Sequence, residues 1–256
     1  MTADVPGHAP AAGLGGLHVT PERRAELSAN LESVRARIAA ATAGAGRDDV
    51  PTLVVVTKFF PARDLVALAD LGVTDVGENR EQELVEKVEE LRAERPGLLA
   101  SPRRHFIGQI QSKKARRVAR HADVVQSLDR LKLVPLLDAG AAERESPLEV
   151  FVQVALEDDH RGRGGAPEAE LPELATAIEE APHLALRGLM AVAPLGEEPA
   201  AAFDRLARIR DGFLARFPHA TALSAGMSAD LEEAVWIGAT HLRVGSAILG
   251  SRPLPG

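Results

Sequence analysis

The residues most suited to chemistry in this chain are one lysine and two short segments that pair glycine with serine. Lys58 closes the run TLVVVTK at residues 52 to 58. A lysine whose stem rises from β-branched residues is either a side chain that snorkels its charge out to water or an amine placed to form a Schiff base with a carbonyl. Residues 223 to 228 read LSAGMS, and residues 243 to 246 read RVGS. Each sets Gly near Ser just past an apolar run, where backbone N–H groups and hydroxyls converge on an anion. Alone, either segment is an ordinary turn and helix cap. Ser228 in particular precedes ADLEE, a reasonable helix start with acids in its first turn. The three features gain meaning together only in a fold that makes them neighbours.

The elements that must position them follow from hydrophobic periodicity. Thr20-Pro21-Glu22 is a helix start, because threonine accepts an orphan backbone N–H bond and proline at the first helical position gives up none. Leu27, Leu31, Val34 and Ile38 then recur at helical spacing, so this helix lays one apolar face on the body. After Gly44 and Gly46 the VVV run suits a strand covered on both faces, as in a parallel sheet. Further strands are expected near 74 to 76, 104 to 107, 123 to 126, 149 to 154, 186 to 189, 222 to 224 and 241 to 244. Helical stripes lie between them: Leu84, Val88 and Leu91; Leu171, Leu174 and Ile178; Phe203, Leu206, Ile209 and Phe213. Eight strand-helix units with no long linker predict a single (β/α)8 barrel with an additional N-terminal helix. A doubly wound open sheet uses the same alternation, but usually with fewer strands, and no G-x-G-x-x-G follows the first one. In a closed barrel the eighth strand pairs with the first. Lys58 then stands beside both anion loops at the C-terminal face, where such barrels carry their chemistry.

Composition narrows the classes. A chain of 256 residues has room for a sizeable core. Its net charge of -7 gives no general surface for nucleic acid. The absence of cysteine removes disulfides, thiolate nucleophiles, Cys-ligated zinc and iron-sulfur clusters, and no metal site is expected. Residues 1 to 18 read as a loose leader without a basic region and apolar core, and the barrel is expected over 19 to 256. Nothing approaches a transmembrane span, so the expected location is the cytoplasm. Arg103, Arg104, Lys113, Lys114, Arg116, Arg117 and Arg120 form a basic concentration, read first as a solvated helix face and second as a dock for an acidic partner.

The chain resembles a known family, the YggS/PROSC or pyridoxal phosphate homeostasis proteins. The matching segments are VVVTK at 54 to 58, GENR at 77 to 80, HFIGQIQSKK at 105 to 114, RGLMAVAP at 187 to 194, LSAGMSADLEEAVWIGAT at 223 to 240 and HLRVGSAILG at 241 to 250. They occur in the family's order and cover most of the chain from about residue 20 to 252. The resemblance implies a fold type III barrel like that of alanine racemase without its second domain, with pyridoxal 5'-phosphate held as an aldimine on Lys58 and no robust catalysis. It further implies that Asn79 and His105 line the cofactor end, and that Ser224, Gly226, Gly245 and Ser246 cradle the phosphate. Met227 joins this set, and Arg243 faces the pyridine nitrogen. The implied partners are pyridoxal phosphate itself, free amino acids and recipient apoenzymes, with the protein a monomer. Two departures stand out: Lys113 where many members have Asn in the QSNK segment, and DHRGRGGA at residues 159 to 166, where many members have a lysine-glycine segment.

Two chemical features bear on whether the chain is an enzyme. A cationic arginine at the ring nitrogen disfavours its protonation and so weakens the ring as an electron sink. Two-sided proton exchange at an amino-acid Cα wants an acid or base on each face, and the racemase relatives use a tyrosine opposite the lysine. This chain contains no tyrosine. His105 could in principle substitute, although a histidine before Phe106-Ile107-Gly108 also suits local hydrogen bonding at a strand entrance. The expectation is a cofactor carrier with no catalytic residues. An amino-acid racemase and a Schiff-base aldolase acting on a phosphate substrate are the competing readings.

Overall fold

The computed structural model describes residues 16–157 and 164–251. The leader expected at the N-terminus lies outside the described residues up to residue 15, as does the arginine-containing stretch from 158 to 163.

Eight strands form the sheet: β1 (Thr52–Val56), β2 (Asp75–Glu78), β3 (Arg103–Phe106), β4 (Val124–Leu128), β5 (Leu148–Gln153), β6 (Leu184–Met190), β7 (Ala222–Ser224) and β8 (His241–Val244). They pair in parallel in chain order, and β1 pairs with β8 to close the barrel. Closure sets Val54 beside Arg243 and Val55 beside Val244, which brings the lysine strand against the RVGS strand. The eight-strand expectation thus holds, and an open sheet is excluded.

The helices are α1 (Pro21–Gly44), α2 (Ala62–Asp70), α3 (Glu81–Glu94), α4 (Ala115–His121), α5 (Val134–Ala141), α6 (Leu171–Glu179), α7 (Pro199–Leu214), α8 (Leu231–Trp236) and α9 (Ser246–Leu249). Helix α1 starts as its sequence dictates: the Thr20 hydroxyl accepts from the Arg23 amide at 3.2 Å, and Pro21 opens the first turn. Leu27, Leu31, Val34 and Ile38 are buried, and the helix lies against α8 and α9. Its side chains also tie down the C-terminal turn, with Asn30 donating to the Ile248 carbonyl at 2.9 Å and Arg23 to that of Leu249 at 3.1 Å.

Alternation along each strand produces two interiors. Val55, Val125, Val150, Val152, Leu223, Leu242 and Val244 belong to the large apolar layer shared with the helices. Inside the barrel, Val124, Phe151 and Met190 form a small separate cluster. The rest of that interior is polar to an unusual degree: Asp75, His105, Gln126, Ser224 and Arg243 are all buried. Barrels of this type are ordinarily filled by bulky branched residues.

Two sequence expectations are corrected. Ser228 does not cap the helix after β7; α8 begins at Leu231 with Asp230 at its N-cap, because Gly226 turns the chain earlier than the acidic pattern suggests. The basic concentration is not one solvated face. Arg103 and Arg104, on β3, pair with Glu149 at 2.5 Å and Asp123 at 2.8 Å, and Lys114 and Arg117 both reach Glu81. Lys113, Arg116 and Arg120 remain exposed. Among the described residues, no helix is long and apolar enough to cross a membrane.

Candidate functional site

A cavity of about 750 Å³ opens at the C-terminal ends of the strands. Its wall takes Val56 and Lys58 from the end of β1, Asn79 after β2, Ile107, Gly108 and Gln109 after β3, and Gln153 through Glu157 at the end of β5. Met190 and Val192 come from the β6 end, Met227, Ser228 and Ala229 from the loop after β7, and Arg243, Gly245 and Ser246 from β8 and its loop. Closure of the sheet is what collects residues so distant in sequence. The approach of β2 and β3 is tight: a Cβ on Gly108 would lie 2.0 Å from the Asn79 carbonyl oxygen.

Lys58 is held from behind. The preceding residue, Thr57, is buried; its hydroxyl donates to Glu78 Oε1 at 2.5 Å and its carbonyl accepts from Lys87 Nζ at 2.8 Å. Lys87 also pairs with Glu78 at 2.5 Å. Burial pushes the Glu78 carboxyl up, while Lys87 and the Thr57 hydroxyl work against that shift. Just beyond the lysine, Phe59 adopts a left-handed backbone with φ 70°, a conformation that bulky residues rarely take and that costs about 1–3 kcal/mol. The turn is secured by the Phe59 amide donating to Glu83 Oε2 at 3.0 Å. The Phe59 ring lies 5.9 Å from Lys58 Nζ and 5.3 Å from the Arg80 guanidinium. Backbone strain next to the lysine is tolerated where surrounding bonds over-determine it, as they do here.

The two glycine-serine loops meet each other. Gly226 has φ 88°, and a Cβ there would lie 2.5 Å from that of Ala234, so the first loop demands glycine. Asp230 fixes the loop by accepting from the Met227 amide. Ser228 Oγ in turn accepts from Ser246 Oγ at 3.3 Å and from the Ala247 amide at 3.4 Å, joining it to the second loop. Among the described residues, the amides of Ser228, Ala229 and Ser246 make no hydrogen bond to another backbone group. Three such donors and two hydroxyls at one end of a cavity suit an anion.

Arg243 supplies the buried cation of the floor. Its Nη1 donates to Ser224 Oγ at 2.7 Å and its Nη2 to the Ala191 carbonyl at 2.8 Å. Burial pulls its pKa down to about 10, which still leaves it charged at neutral pH.

Of the residues singled out from sequence, Lys58, Asn79, Met227, Arg243, Gly245 and Ser246 line the cavity. His105 and Ser224 lie beneath its floor with no exposed surface, and Gly226 sits behind the loop wall. His105 bonds Asp75 at 2.8 Å and Gln126 at 2.8 Å inside the barrel, which places it away from the cavity surface that the resemblance implied. Residues that sequence reading missed include Ser228, passed over as a helix cap, and the Glu78–Lys87 support. One signal for the latter was available: Lys87 falls on the apolar stripe of Leu84, Val88 and Leu91, where a lysine must find a buried partner.

Comparison with known proteins gives these features a context. Residues 27–253 match the family model for the N-terminal domain of alanine racemase. A pyridoxal phosphate homeostasis protein of Mycobacterium tuberculosis is 42% identical over 253 residues, spanning 93% of this chain and 97% of that protein. The chain belongs to the pyridoxal phosphate homeostasis protein family. Among solved structures, the family member PipY of Synechococcus elongatus, with pyridoxal phosphate bound, is 31% identical with a TM-score of 0.72, covering 88% of this chain and all 100% of PipY. Alanine racemase from Streptomyces coelicolor shares the fold at 20% identity and a TM-score of 0.67; the match covers 88% of this chain but 58% of the racemase. The homeostasis family thus shares the barrel of the racemase and spans only part of that enzyme's length.

Proposed function

We propose that this chain is a pyridoxal 5'-phosphate carrier that acts in cofactor homeostasis, holding the cofactor covalently on Lys58 and exchanging it with free amino acids and recipient apoenzymes. The observation that carries the proposal is the convergence of Lys58, Arg243 and the three available loop amides on one cavity. The residues fit the three handles of the cofactor: an amine for the aldehyde, amides and hydroxyls for the phosphate, and a guanidinium for the ring nitrogen. When bound, the cofactor supplies an electrophilic carbonyl carbon and an electron-withdrawing ring.

The protein's own groups set the limits of what can follow. Ser228, Ser246 and the loop amides would hold the phosphate, Asn79 and Met227 stand on the same cavity wall, and Gly226 and Gly245 let the backbone come close. Arg243, charged and unable to accept a proton from a ring N–H, disfavours protonation of the ring nitrogen and so holds back carbanion chemistry. No tyrosine exists anywhere in the chain to supply a second acid or base for racemisation. The reading therefore assigns storage and transfer, and no robust catalysis, to a monomer in the cytoplasm.

The test is borohydride reduction of purified protein incubated with pyridoxal phosphate, followed by peptide mapping. A visible band lost on reduction, with the adduct on Lys58, is the expected result; an adduct confined to another lysine overturns the assignment. Lys58→Ala is expected to abolish the adduct while weaker phosphate-directed binding persists. Chiral analysis of alanine incubated with the loaded protein is expected to match the protein-free blank, and cofactor-dependent conversion well above it would favour an enzyme.

A further inference from the structure

Five buried polar side chains form one continuous hydrogen-bonded line through the barrel, and the orientation of the Gln126 amide, with Oε1 toward Ser224 and Nε2 toward His105, gives it a direction. Arg243 can only donate, so Ser224 Oγ receives its proton at 2.7 Å. The single hydroxyl proton of Ser224 then goes to Gln126 Oε1 at 2.7 Å. That turns the Gln126 amide nitrogen toward His105 Nδ1 at 2.8 Å, and an amide nitrogen can only donate. His105 Nδ1 must therefore be unprotonated, so a neutral ring carries its proton on Nε2, which donates to Asp75 Oδ1 at 2.8 Å. The line runs from a cation on β8 to a carboxylate on β2, and every member between them is neutral. His105, Gln126 and Ser224 have no exposed surface.

We propose that Gln126, backed by His105 and Asp75, is a positioning residue for Arg243: by committing the Ser224 proton it leaves the Ser224 lone pair facing the guanidinium and sets the angle at which Arg243 meets the cavity. With Gln126 absent, the Ser224 hydroxyl is free to rotate and Arg243 keeps one fixed acceptor, the Ala191 carbonyl. Bonds in a low-dielectric interior polarise one another, so the Asp75 end contributes to how firmly the line is held. Burial lowers the Arg243 pKa and the charge of Asp230 opposes that shift, while Ser224 and the Ala191 carbonyl supply the hydrogen bonds the buried guanidinium needs. The inference about the guanidinium stands on the protein alone, and its consequence for pyridoxal phosphate rests on the function proposed above.

The first measurement is the nitrogen-15 spectrum of the His105 ring in cofactor-free protein. The Nε2–H tautomer is expected; an Nδ1–H ring, or one protonated on both nitrogens at neutral pH, overturns the proposal. The second compares wild type with Gln126→Met, an unbranched replacement of similar size. Resolved Arg243 Hη signals, which report a guanidinium fixed at both ends, are expected in wild type and averaged in the variant. Unchanged Hη signals in the variant overturn the proposal. With pyridoxal phosphate added, Gln126→Met should shift the visible band and raise the release rate about tenfold, as expected for weakening one charge-assisted hydrogen bond. A band and release rate equal to wild type overturn it as well. If wild type itself forms no band, the cofactor reading fails, while the tautomer and guanidinium signals still decide the positioning role.

Discussion

At the scale of the residue, the barrel interior keeps ionisable groups in chosen states, and the effect is measurable outside the cavity. His241 lies inside the barrel with its Nδ1 near the Thr240 hydroxyl at 2.8 Å and its ring edge-on to Phe151 at 5.2 Å. Burial pulls its pKa from 6.5 to about 4. Between those values the unfolded chain binds a proton that the folded chain refuses. The stability that comes from keeping His241 neutral is therefore complete above about pH 6.5 and is lost as pH falls toward 4. The loss amounts to about 3 kcal/mol at most. Urea denaturation of wild type and His241→Asn at pH 7 and pH 5 checks this: the variant should lose less stability on acidification than wild type, and parallel losses would refute the assignment.

At the scale of the element, the loop between β7 and α8 matters most. Gly226 sits at φ 88° against Ala234, so Gly226→Ala must both strain the backbone and push on α8. A cost of about 1–3 kcal/mol is expected in urea melts. Because Ser228 and Ala229 move with the turn, affinity for inorganic phosphate should fall in the same variant; full-strength phosphate binding would separate the loop from the anion site. The elements themselves were largely legible in the sequence. The VVV run became β1, the stripe of Leu27, Leu31, Val34 and Ile38 became the buried face of α1, and Phe203, Leu206, Ile209 and Phe213 became that of α7. Local periodicity records which face of an element will meet the core. The loop after β7 was misread because capping chemistry is shared by loops and helix ends: a serine ahead of acidic residues suits both, and only the position of the glycine turn separated them.

At the scale of the whole molecule, α1 acts as a brace across the seam where the barrel closes. It packs on α8 and α9, and Asn30 and Arg23 bond the carbonyls of the turn that follows Ser246. Leu31, 1% exposed, anchors this contact. Leu31→Ala should cost about 2–5 kcal/mol in chemical denaturation, with the spread set by how far the site can collapse. A surface-like change below about half a kcal/mol would show that the helix is not part of the cooperative unit.

By itself the sequence determined the alternation of strands and helices, the count of eight, the lysine at the end of the first strand and the two anion loops near its far end. Those properties are local: each is written in a run of neighbouring residues, and the family resemblance assigned them roles. Only the tertiary structure decided that Ser224 and His105 lie under the cavity floor rather than on its wall, that Arg103 and Arg104 are bound to carboxylates, and that Gln126 links Ser224 to His105. The physical reason is closure. Asp75, His105, Gln126, Ser224 and Arg243 sit on five strands separated by long helical excursions, and nothing in their local patterns states which will meet. Bending the sheet until β8 pairs with β1 turns these inward-facing positions toward one another, and the cost of burying each polar group unpaired then joins them in a single line.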